Sequence, residues 1–146
     1  MVHQLTVSAS LNGKEVFART SFKLALSIRN SGAITFPGGK ITKVQLEFPH
    51  SKTFLLQPEE LPKLSSGEIY EKSFDFFAAE EGICWVFIEI ESNDGVDIDL
   101  FSGERNMSKS WHHNLYFFRY EDSKIIEILN SINDGLNKII SKMEAK

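Results

Sequence analysis

The 146-residue chain holds one cysteine, Cys84, only four prolines, and no block of Lys or Arg. A single cysteine excludes an intrachain disulfide, so the fold must be held by packing, and the chain fits a reducing compartment such as the cytoplasm. With a formal net charge of −4 and no basic stretch, nucleic acid is not an expected partner, because phosphate binding needs a positive surface. No apolar run approaches the ~20 residues that span a bilayer. The start, Met1-Val2-His3-Gln4-Leu5, lacks the basic and apolar regions of a signal peptide, so a soluble chain is expected. Also missing are a Gly-X-Ser-X-Gly elbow, a phosphate loop and a dinucleotide fingerprint, and with them the usual sequence marks of catalysis.

What is present is an ordinary globular composition, 42% hydrophobic and 25% charged, sized for one domain plus an appendage. Twelve phenylalanines, two tryptophans and three tyrosines suit the broad faces of a β-sandwich. Phe22, Leu24, Leu26 and Ile28 alternate with Lys23, Ala25 and Ser27 and stop at Asn30-Ser31-Gly32. That period of two marks a half-buried antiparallel strand ending in a turn. The pattern recurs over residues 5–9, closed by Asn12-Gly13, with 15–19 extending toward the Phe22 strand. After Pro37-Gly38-Gly39 it returns in 41–48 with Val44, Leu46 and Phe48 on one face, and 53–56 forms a short edge strand. Pro58, Pro62 and Ser65-Ser66-Gly67 then predict a long irregular connection.

Residues 68–78 place Tyr70, Phe74 and Phe76 on one face, and residues 83–91 place Cys84, Val86, Ile88 and Ile90 inward. Trp85 and Phe87 lie on the opposite face, which implies that this face is covered at one end. Asn93-Asp94-Gly95 reads as a hairpin turn into Val96, Ile98 and Leu100, and a last strand spans 111–120. Seven to eight strands of this kind predict an immunoglobulin-like antiparallel β-sandwich over 1–120. From 121 to 146 the period changes: Ile125, Leu129, Ile132, Leu136, Ile139 and Met143 recur at spacings of four and three. They form the heptad-like stripe of a C-terminal amphipathic helix, capped by Asp122 or Ser123 and interrupted by Gly135.

Three short motifs sharpen the fold. The strand closed by Asn30-Ser31-Gly32, the step Leu64-Ser65-Ser66-Gly67-Glu68, and Gly82 opening Trp85-Val86-Phe87-Ile88-Glu89-Ile90 together resemble the cell-adhesion-related bacterial domains called CARDB, over about residues 3–120. The resemblance implies that the three glycines are fold determinants and that the module is a non-catalytic interaction or spacer domain, with no functional residues carried over. Gly103-Glu104-Arg105-Asn106 only faintly echoes the family's acidic ending before the last strand, and the helix is no part of that module.

Candidate sites are few. Glu89, Glu91, Asp94, Asp97 and Asp99 invite comparison with a calcium site but lack EF-hand spacing and read as a solvated strand face. His112 and His113 are neighbours on a strand and point to opposite faces, so they cannot jointly hold a metal. Cys84 falls on the inward face as a small hydrophobe. No cofactor, metal or catalytic residue is expected. The interaction candidates are Trp85, Phe87, Ile125, Leu129, Ile132, Leu136, Ile139 and Met143. The first half of the helix is expected to dock on the sheet and the second half, 136–143, to self-associate. The expected function is a non-enzymatic protein-interaction module that pairs with itself or with a protein partner. The alternatives are a sandwich binding carbohydrate or a small ligand on exposed aromatics, and a hydrolase with a site in the 57–67 connection.

Overall fold

The computed structural model describes residues 1–11 and 16–144, with the side chains of all of these except 120–126 and 143–144. The expected Asn12-Gly13 turn lies outside the described residues. Among the described residues ten strands precede one helix: β1 (His3–Leu11), β2 (Ser21–Asn30), β3 (Gly39–Glu47), β4 (Lys52–Phe54), β5 (Glu59–Leu61), β6 (Ile69–Phe77), β7 (Gly82–Ser92), β8 (Ile98–Ser102), β9 (Arg105–Asn106), β10 (Ser110–Phe117) and α1 (Tyr120–Glu144). One sheet runs β6-β2-β1-β8-β9; the other runs β10-β7-β3-β4, with β5 pairing β3. The strips β6-β2-β1 and β10-β7-β3-β4 match the two facing sheets of an immunoglobulin-like sandwich, E-B-A against G-F-C-C′. The count exceeds the expected seven to eight because β4, β5 and β9 are only two or three residues long.

Alternation does what it predicts. Phe22, Leu24, Leu26, Ile28, Val44, Leu46, Phe48, Phe74, Phe76, Cys84, Val86, Ile88 and Ile90 are all buried in one core between the sheets. A bulge between Ile41 and Lys43 shifts the register of β3 on β7, so that Ile41 and Val44 both turn inward. Gly39 is held by a close approach: a Cβ there would stand 1.9 Å from the carbonyl oxygen of Glu91, which no side chain can occupy.

The motifs at Asn30 and Leu64 prove to be one structure. Asn30, almost fully buried, donates from Nδ2 to the carbonyls of Ile34 (2.8 Å) and Leu64 (2.9 Å), while its Oδ1 accepts from the Gly32 amide at 3.1 Å. Its backbone N–H donates to the Glu68 carbonyl and its own carbonyl accepts from the Gly67 amide. Ser66 Oγ closes the knot on the Gly32 carbonyl at 2.6 Å, and the Glu68 carboxylate accepts from the Ser65 amide. Gly67 supplies the positive φ of 85° that this turn requires. Gly82 also has positive φ, whereas Gly32 does not; Gly32 instead packs close to Asn30 Oδ1 and the β-carbon of Gln4.

Three expectations are corrected. Asn93-Asp94-Gly95 does not close a hairpin: β7 belongs to one sheet and β8 crosses to the other, where it runs parallel to β1. The free edge of β1 attracts it, because the pairing buries Ile98 and Leu100 and lets the His3 amide donate to the Asp97 carbonyl. The 57–67 connection is not irregular throughout, since it holds β5 and a bridge between Phe36 and Leu64 that buries Leu61 and Leu64. Within 15–19 the described residues do not extend β2: Phe17 bridges Phe118, and Arg19 adopts a left-handed φ of 63°.

Candidate functional site

The outer face of the second sheet carries an aromatic band. Pairing of β7 with β10 sets Ile83 opposite Tyr116, Trp85 opposite Asn114 and Phe87 opposite His112, so these six side chains share one face. On the other flank, β3 places Glu47 opposite Trp85 and Gln45 opposite Phe87. The His112 ring lies 5.8 Å from Trp85 and 6.2 Å from Phe87, and Tyr116 meets Phe118 edge-on at 5.2 Å. Trp85 is 41% exposed and Tyr116 55%. Trp85 is therefore open to solvent, while Phe87 is half-buried beneath His112. Beside this band Trp85, Arg105, Met107, His112, His113 and Asn114 line a depression of about 240 Å³.

The second surface is α1. Ile128, Leu129, Ile132, Leu136, Ile139 and Ile140 are each between 51% and 60% exposed. The docked first half expected from the sequence is not seen at Ile128, Leu129 or Ile132; Ile125, Ile126 and Met143 lie outside the described side chains. The structure does not bring Trp85 and the described part of the helical stripe together into one buried cluster.

Several titratable groups elsewhere are engaged in the fold. Burial pushes the Cys84 thiol up to about 12, so it is protonated and unreactive at neutral pH. Glu89 and Glu91 stand on β7 while Asp99 stands on β8 in the other sheet, where Asn106 donates to it. Among the described residues no three His, Cys, Asp or Glu side chains gather where they could hold a metal. His112 and His113 diverge, the latter packing 5.8 Å from Trp111. In the 57–67 connection, the Glu59 carboxylate pairs with Lys72 and accepts from the Tyr70 hydroxyl at 3.2 Å. His50 and Glu80 line a depression of about 380 Å³, but that carboxylate accepts from the His50 amide and the Ser51 hydroxyl and so closes the turn.

His3, which the sequence sets aside as a metal ligand because it is remote from His112 and His113, is buried against Phe36 and sits 2.9 Å from Asp94. The Ser92 hydroxyl, His3 and the Val96 amide all favour the ionised carboxyl, and Asp94 falls to about 2. Its folded value lies below the ordinary ~3.9, so its contribution to stability is present above that value and is lost as pH falls from about 4 toward 2. The difference in urea midpoint between the intact chain and Asp94→Asn is expected to be largest above about pH 5 and to shrink across that window. A difference unchanged down to pH 2 would show that another group carries the effect.

No protein-family model matches the chain, and no curated protein does. Among solved structures it is similar to the CARDB domain of a Pyrococcus furiosus protein in complex with di-metal ions, at 11% identity and a TM-score of 0.49, covering 80% of this chain and 93% of that one. The solution structure of that CARDB domain gives a TM-score of 0.48 over 80% and 94%. A Listeria innocua β-glucosidase is similar at 17% identity and a TM-score of 0.47, and there the match covers 80% of this chain but 16% of the enzyme. The immunoglobulin-like sandwich itself rests on the strand order of the two sheets, and the chain is similar to CARDB domains.

Proposed function

We propose that the protein is a non-enzymatic interaction module whose sandwich displays a C-terminal helix for association with a second copy of itself. The observation that carries this reading is the row of six large aliphatic side chains on α1, each more than half exposed in the single chain. An apolar surface of that kind is unfavourable in water and marks an interface. The chemistry elsewhere supports a binding role: the thiol is buried, and the carboxylates at Glu59, Glu80 and Asp94 are taken up by structural hydrogen bonds. Leu136→Glu with Ile139→Glu should convert the self-associated protein to monomer while leaving the denaturation of the sandwich unchanged, read by light scattering and urea unfolding. Loss of the sandwich transition in this variant would show that the stripe serves the fold instead.

A second reading rests on the aromatic band. Trp85 and Tyr116, flanked by Asn114, Gln45 and Glu47, offer the flat apolar rings and polar rim that a carbohydrate uses. Quenching or shift of tryptophan fluorescence on addition of oligosaccharide, abolished by Trp85→Ala, would support this reading; no change with any oligosaccharide tested removes it.

A further inference from the structure

We propose that the depression beside Trp85 receives the carboxylate of an acidic sugar, an inference that rests on the carbohydrate reading of the aromatic band. Its walls come from both sheets. The chain leaves the second sheet after β7, so the hairpin of β8 and β9 belongs to the first sheet and stands across from β10, the end strand of the second. Arg105 pairs with Ser102 in that hairpin, which sets both side chains on one face, and both line the depression. From β10 come His112 and Asn114, on the outer face with Trp85, and His113 on the opposite face. The depression therefore wraps the edge of β10 and opens onto the Trp85 ring.

The lining suits an anion. No Asp or Glu belongs to it, and its formal charge comes from Arg105, in a chain whose net charge is −4. The Arg105 guanidinium, the Asn114 amide and the ring nitrogens of His112 and His113 make no hydrogen bond or ion pair with the described residues. The acidic neighbours are placed elsewhere: Glu47, on the other flank of Trp85, lies 3.8 Å from Lys52, and Glu104, in the turn before Arg105, is outside the lining. A guanidinium meets a carboxylate with two parallel N–H donors, and amide and imidazole donors can serve its remaining lone pairs.

Size and shape decide the rest of the ligand. At about 240 Å³ the depression is smaller than the roughly 300–1,000 Å³ of sites that enclose a whole small molecule. It holds an acidic substituent, while the body of the ligand rests on a neighbouring surface. That surface is Trp85, 41% exposed and part of the same lining. A uronic acid carries its carboxylate at the rim of a ring whose C–H face is apolar, so stacking on the indole aims the carboxylate sideways at Arg105. An acidic peptide would offer Arg105 the same group but no comparable flat face for Trp85.

Calorimetric titration of the full-length chain tests this with oligomers of galacturonate, glucuronate and mannuronate, each beside its uncharged methyl ester, and with poly-glutamate. An acid oligomer should bind about tenfold or more tightly than its ester. Arg105→Gln should erase that difference, and Trp85→Ala should lose both ligands; urea unfolding checks that each variant is folded, and Trp85→Phe, which keeps a smaller ring and should bind more weakly, replaces Trp85→Ala if it is not. Acid and ester binding alike, or a preference for the acid that survives Arg105→Gln, overturns the carboxylate site while the carbohydrate reading stands. Binding of no oligomer, acid or ester, removes both. Poly-glutamate binding as tightly as the best acid oligomer and unaffected by substitution of Trp85 shows an acidic polypeptide ligand and overturns the proposal.

Discussion

Leu26→Ala is expected to destabilise the protein by about 2–5 kcal/mol, the range for removing a buried leucine side chain. Leu26 sits in the middle of β2, which is itself flanked by β1 and β6, and it is 2% exposed. Its cross-strand neighbours are Ala9 and Lys72. Alanine would remove both the transfer free energy of the lost methyl groups and the contacts they make across the sheets. Strands paired on both sides cannot easily close the resulting void, so the cost belongs toward the upper part of the range. Urea unfolding measures it directly. A loss below about 1 kcal/mol would be that of a surface substitution and would contradict the register of β2.

Asn30→Ala is the second large effect, about 2–4 kcal/mol. It would strand the carbonyl of Ile34 and the amide of Gly32, and would take from the Leu64 carbonyl one of its two donors, leaving it the Phe36 amide. A buried polar group left without a partner costs about 1–3 kcal/mol, and water entering beside the exposed Ser31 would offset part of the sum. Because the Asn30 side chain fastens Leu64, the variant should also become cleavable within residues 57–67 under limited proteolysis. An unchanged urea midpoint with an unchanged digestion pattern would show that backbone bonds alone hold this knot.

These two residues show what a sequence exposes and what it conceals. Alternation identified Leu26 as core, because a period of two fixes the face of every side chain on a strand. It identified the Asn30 turn as a motif, but not the partner of that side chain, which comes from 34 residues away. Val96, Ile98 and Leu100 alternate equally well in a hairpin or in a crossover, so pattern alone could not say which sheet β8 joins. Leu61 and Leu64 were hidden among prolines and serines. In the last strand, Trp111 and Phe117 are buried while Tyr116 is open, a division that two apolar faces in sequence do not announce.

The candidate surfaces were legible to a similar degree. Trp85 and Phe87 stood out as apolar residues on the outward face, whereas His112 and Tyr116 joined them only through the pairing of β7 with β10. The helical stripe was plain from its spacing of three and four. Its exposure was not, since a helix packed on a sheet and a helix awaiting a partner carry the same periodicity.

The central claim, that α1 is an association surface, is tested most directly by the mass of the intact chain in solution, measured by light scattering across the micromolar range. The account predicts a species of twice the 16.6 kDa chain mass that dissociates on dilution. A constant 16.6 kDa throughout that range would contradict it and leave the exposed helix without the partner assigned to it here.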